Sequence, residues 1–130
     1  MDYFLVIFIC IIFLWLFIIF KFSKKRKIDS KEKEKILKNF NNIKKLSSNK
    51  EKIIDYDKLY HKILLDLWYS WSFWEILKRE PKIIKDINKI WELHKLRNKL
   101  VHDFDLLTEN ILKKKAEEYK NIIEILLKEI

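Results

Sequence analysis

The stretch Trp91 to Asp103, W-E-L-H-K-L-R-N-K-L-V-H-D, decides how this chain is read, because it sets the least ordinary polar residues of the sequence on one expected helix. His94, Arg97 and Asn98 stand at spacings of three and four, which bring side chains together along a helix. His102 follows at the expected helix end. The result is a polar cluster embedded in an apolar helix.

Arg97 stands out against the chain's own usage. Of 28 Lys and Arg residues, only Arg26, Arg79 and Arg97 are arginine, so lysine is the default cation. An arginine between Lys95 and Lys99 suits a position that needs a planar, permanently charged fork, able to grip a phosphate or a carboxylate through two hydrogen bonds.

Arg97-Asn98 followed after a short gap by His102 resembles the signature of HEPN domains, in which an Arg and an adjacent polar residue precede a His. The run from Ile54 to Leu59 and the segment Trp91 to His94 also resemble a bacterial HEPN-like group of small, often membrane-anchored proteins. The resemblance covers about residues 50–130 and leaves the first forty-odd residues outside it.

That resemblance implies a small HEPN-like antiparallel helical bundle and a metal-independent endoribonuclease or RNA-binding module of a defence or toxin-type system. RNA transesterification needs a base for the 2′-hydroxyl proton, an acid for the leaving oxygen and a cation for the developing charge. The resemblance assigns His102 as the general acid or base, Arg97 to the phosphate and Asn98 to orienting one or both. It implies no cofactor. It also implies a homodimer with a composite cleft, and a nucleotidyltransferase-type antitoxin as partner. His94, Asp55, Asp57 and Asp103 are auxiliary candidates.

His102 lies about 140° around an ideal helix from Arg97. The helix is therefore expected to end near Val101, letting His102 turn back toward the cleft with Asp103 beside it. Two competing assignments remain. Asp55 or Asp57 from the first bundle helix holds Arg97 in a structural salt bridge, leaving a non-catalytic dimerisation or scaffold protein; or Arg97 and His102 bind a small nucleotide in a regulatory domain.

The charge is unevenly spread. Residues 1–20 carry one acid; residues 21–52 carry 13 bases and 4 acids, hence +9; residues 53–130 carry 15 bases and 14 acids, hence +1. The bundle is thus close to neutral, without an obvious electrostatic funnel for a polyanion. The basic excess sits just after the apolar N-terminus and points first to anionic lipid.

Tyr3 to Phe20 is apolar without interruption, and its 18 residues make about 27 Å of helix, close to the hydrocarbon thickness of a bilayer. A cleaved signal peptide would need a basic start and a small-residue cleavage site; Asp2 is acidic and no such site follows. Residues 1–22 are therefore expected to form a single transmembrane helix. Lys21, Lys24, Lys25, Arg26 and Lys27 follow as a lipid-contacting cluster, and the positive-inside rule puts the N-terminus outside and the C-terminal domain in the cytoplasm, at the inner membrane. Residues 23–49 are expected to be a basic juxtamembrane arm. With its apolar stripe of Ile36, Leu37, Phe40, Ile43 and Leu46, the arm lies on the membrane surface, forms a solvated stalk or packs as a helix on the chain's own domain.

Ser48-Asn49-Lys50-Glu51 has the form of a capping box and opens the bundle of residues 50–130. Ile53, Tyr56, Tyr60, Ile63 and Leu67 give the first helix a buried face, with His61 expected on its surface. Ser72 and Glu75 form a second capping box in a region crowded with Trp68, Tyr69, Trp71, Phe73 and Trp74, read as core packing in preference to a base-stacking platform. Pro81 is expected to open the next helical segment. Thr108 caps a last helix whose Leu112, Ala116, Tyr119, Ile123, Leu126 and Ile130 form a narrow heptad seam. No stretch shows the alternation of a strand, so the fold class is all-α.

The single cysteine, Cys10, excludes an intrachain disulfide, and no H-E-x-x-H pattern accompanies the three histidines, so no metal site is expected. The complete lack of glycine excludes the phosphate-cradling loops of ATP- and NAD-binding folds.

Overall fold

Polar side chains start the helices at the points where apolar periodicity begins. The computed structural model describes residues 3–23, 27–67, 69, 71–102 and 107–130, and every regular element among them is a helix. These are α1 (Tyr3–Ser23), α2 (Ser30–Lys44), α3 (Asn49–Asp66), α4 (Phe73–Lys78), α5 (Ile87–His102) and α6 (Glu109–Glu129). Asp29 caps α2, and the Ser48 hydroxyl accepts the Glu51 N–H at 3.2 Å to cap α3. At α4 the box is reciprocal: Ser72 Oγ accepts the Glu75 N–H at 3.3 Å while the Glu75 carboxylate accepts the Ser72 N–H at 3.2 Å. Each such cap satisfies N–H groups that a helix start otherwise leaves orphaned.

The expectation for Pro81 is corrected. The motif helix begins later, at Ile87, where the Asp86 carboxylate accepts the Lys89 N–H at 2.9 Å; Pro81 is buried in the preceding loop, its carbonyl accepting from Ile84 N–H. Asp86 wins because its side chain caps the helix, whereas Pro at a first turn only tolerates one. Just before it, Glu80 closes α4 with φ 45°, a left-handed position that glycine would normally take.

α3 is the central element, packed on α2, α5 and α6. Contacts give the directions. Lys62 near the end of α3 meets Glu32 at the start of α2 at 3.7 Å, and Asn49 at the start of α3 bonds Glu109 at the start of α6. Lys85, just before α5, meets Glu129 at the end of α6 at 3.6 Å. Successive helices α2, α3, α5 and α6 therefore alternate in direction, and α3 and α6 lie side by side in parallel. A lattice of Lys89, Glu92, Lys115 and Glu118 ties α5 to α6 along their exposed edge. Pairs this exposed contribute little singly and chiefly favour one register.

The seam of α6 is spent within the chain, with Leu112, Ala116, Tyr119, Ile123 and Leu126 all buried. Aromatic rings run through the core in sequence, Phe40 to Tyr56 at 5.9 Å, Tyr56 to Tyr119 at 6.3 Å, Tyr119 to Tyr60 at 6.3 Å and Tyr60 to Phe73 at 6.0 Å between centroids. Burial pushes the Tyr56 hydroxyl up to about 12 and also raises those of Tyr60 and Tyr119 above the ordinary phenol value.

Phe40 belongs to the second helix, which settles the alternatives for the arm. Ile36, Phe40 and Ile43 are buried in the same core as α3, so the bundle starts at Ser30, earlier than the boundary expected at residue 50. Covering α3 removes more apolar surface from water than a short stripe on headgroups would. α1 differs in kind: it is long and apolar enough to cross a membrane, and none of that length is buried against the rest of the chain.

Candidate functional site

Asp57 is the one buried charged residue among those described, with its side chain 4% exposed, and it projects from the middle of α3 toward α5 and α6. A carboxylate so placed is tolerated only if its oxygens are paired. Oδ1 accepts from the Tyr119 hydroxyl at 2.7 Å and from His94 Nδ1 at 2.9 Å; Oδ2 faces Arg97 Nε at 3.5 Å. Three helices meet at one carboxylate.

The hydrogens follow from which partners can only donate or only accept. Arg97 Nη1 can only donate, and Asn98 Oδ1 accepts from it at 2.9 Å, which turns Asn98 Nδ2 toward His94 Nε2 at 3.4 Å. Asp57 only accepts, so Nδ1 of His94 carries a hydrogen and Nε2 takes the weak amide contact. Phe73 of α4 closes the cluster, its ring edge-on to His94 at 4.5 Å. Both His94 nitrogens are thus engaged, and its side chain is only 12% exposed. Arg97 Nε has a charge contact with Asp57 but no hydrogen bond of proper geometry. The Arg97 side chain as a whole is nevertheless 27% exposed, so it is held by Asp57 and Asn98 without being sealed from solvent.

The spacing argument for His94, Arg97 and Asn98 describes one connected cluster. His102 does not join it. α5 ends at His102, one residue past the end expected near Val101, and includes it; His102 is exposed, its side chain without a hydrogen bond or ion pair among the described residues. The physical reason is the one that made the turn-back necessary: on a continuous helix, five residues carry a side chain about 140° around the axis. Asp55 pairs with Lys58 at 3.2 Å on the outer side of α3 and stays apart from the cluster. Asp103, Lys24, Lys25 and Arg26 lie outside the described residues, while Lys21 and Lys27 are exposed. No group of three or more His, Cys, Asp or Glu comes together among the described residues in a way that could hold a metal ion.

Two participants escaped the sequence reading. Tyr119 looked like one more seam residue, although a tyrosine within an aliphatic seam signals a hydroxyl that needs a buried partner. Its phenol is raised well above the ordinary value by burial and by Asp57, so it remains a donor. His61, expected on the surface, is half-buried, stacked on Phe73 at 5.2 Å with Nε2 3.4 Å from the Trp71 carbonyl. No family model, curated protein or solved structure matches the chain.

Proposed function

We propose that this chain is a membrane-tethered, HEPN-like RNA-processing module that acts as a homodimer, with α1 as the anchor and the bundle on the cytoplasmic side. The observation that carries the reading is the state of Arg97: Asp57 and Asn98 hold its guanidinium, while the side chain stays 27% exposed, which leaves it accessible to a phosphate. Holding an arginine before the substrate arrives removes the ordering that would otherwise oppose binding.

His102 is the general acid or base in this reading, and a second copy is needed because one chain keeps His102 and Arg97 on different sides of α5. Two α5 helices packed at their C-terminal halves bring an imidazole of one protomer toward a guanidinium of the other, and tethering in a bilayer raises the effective concentration for that pairing. A nucleotidyltransferase-type antitoxin is the partner proposed to restrain it.

The test is single-stranded RNA incubated with the full chain in nanodiscs and EDTA. Cleavage to 2′,3′-cyclic phosphate ends is expected, and it disappears in His102→Ala, whose exposed side chain makes no contact on which folding depends. Undiminished cleavage by His102→Ala, or none by the folded wild type, overturns the assignment. A second reading rests on Asp57: because it uses His94 and Arg97 to join α3 and α5, the motif serves a non-catalytic dimerising scaffold. Dimerisation without cleavage favours that reading.

A further inference from the structure

Outside the Asp57 cluster, the aromatics thought to be mostly core divide into two groups. Phe73 goes inward, but Trp74 is 48% exposed and Trp71 and Trp91 are half-buried. Trp74 and Trp91 meet edge-on at 4.5 Å, joining α4 to the start of α5. Each of these three indoles has a cation on it: Lys78 Nζ is 4.8 Å from the Trp74 ring centre, Lys95 Nζ 6.0 Å from Trp91, and the Arg79 guanidinium 3.6 Å from Trp71.

These three cations differ from those of the bundle that are tied into ion pairs. Lys35, Lys58, Lys62, Lys89, Lys115 and Lys120 all pair with carboxylates, whereas Lys78, Arg79 and Lys95 have no ion-pair partner among the described residues. Of the acids nearby, Glu75 is taken by the α4 cap and Glu92 by Lys89 and Lys115, while Glu80 is exposed and makes no ion pair with Lys78 or Arg79. Unneutralised positive charge beside exposed π surface complements a polyanion that carries flat rings. A lipid surface fits less well, because the other exposed large apolar side chains of the bundle, among them Leu37, Leu65 and Ile125, are scattered over different helices.

The patch also has a direction. On α5, Lys95 lies about 40° and His102 about 20° around the axis from Trp91, with Asn98 about 20° to the other side. One outer stripe therefore runs from the indoles past Lys95 to His102, over about 17 Å. We infer that Trp74 and Trp91, with Lys78, Arg79 and Lys95, form a stacking platform for single-stranded RNA that feeds the strand along this stripe toward His102. The inference takes its polymer from the function proposed above and adds where the bases sit. Lysine, a mobile point charge, moves from the ring to a phosphate as a base stacks.

The test separates binding from cleavage by using a fluorescein-labelled 2′-O-methyl oligouridine, which lacks the hydroxyl that transesterification needs, with the full chain in zwitterionic nanodiscs. Trp74→Ala is expected to weaken binding about tenfold, within the range for loss of one stacked base. Trp74→Phe keeps most of the affinity, and Lys78→Ala with Lys95→Ala flattens the salt dependence. Because the 2′-O-methyl strand cannot be cleaved, failure of the chain to cleave RNA leaves this measurement standing by itself. Wild-type affinity in Trp74→Ala at unchanged thermal stability overturns the platform, as does a wild type that does not bind. Quenching of Trp74-dependent emission by brominated lipid, without oligonucleotide binding, assigns the patch to the membrane and overturns it equally.

Discussion

The two sides of α5 put the same kinds of residue to opposite uses. On the inner side His94 and Arg97 converge on the buried Asp57, and Asn98 at the edge links them. On the outer side Lys95 and His102 face solvent in line with the half-buried Trp91, and neither has an ion pair among the described residues. A histidine or cation in the first setting is held by the fold, and removing its partner strands a charge away from water. In the second setting it costs the fold little and stays open to a ligand. A shared signature therefore does not mean a shared role: Arg97 is anchored and His102 is free, although both belong to one short motif.

The sharpest way to break this contrast is Asp57→Ala. It deprives His94, Arg97 and the Tyr119 hydroxyl of their common acceptor, and a loss of about 3–5 kcal/mol is expected in unfolding of the full chain, as for other buried pairs cut on one side. A loss under about 1 kcal/mol, within the range of ordinary substitutions, would mean that the carboxylate is not what joins the three helices. Tyr119→Phe keeps the ring in the core and removes only one donor to Asp57; about 1.5–3 kcal/mol is expected, as for a hydrogen bond to a charged group. Comparing its thermal midpoint with that of Asp57→Ala measures how much of the cluster the phenol carries. His102→Ala sharpens the other side, with a change within about 0.5 kcal/mol, the usual span for a surface site. A larger loss would place His102 in the fold and end the contrast.

Much of the architecture was legible because local rules suffice for it. The caps at Ser48 and Ser72 depend on side chains three residues apart, the stripe of α3 on its own periodicity, and the apolar length of α1 on composition. The arm was harder. Its stripe of Ile36, Phe40 and Ile43 fits a headgroup layer and a neighbouring helix equally well, and the choice rests on a groove that α3 offers only once folded. The direction of His102 was harder too: the end of α5 was legible to within a residue, but His102 is still part of the helix, which leaves it about 140° around the axis from Arg97.

The sequence by itself determined that this is a helical chain with an apolar N-terminal segment, and that His94, Arg97 and Asn98 must lie together, because spacing along one helix leaves no freedom in the matter. Only the tertiary structure decided which carboxylate they meet, that Tyr119 completes the cluster, and that Trp74 and Trp91 touch. Those partners lie on other helices, and pairings between helices depend on how whole faces fit, which no single periodicity records. Asp55 and Asp57 are two positions apart on α3, and the rotation of that helix within the bundle puts one in the core and the other at the surface.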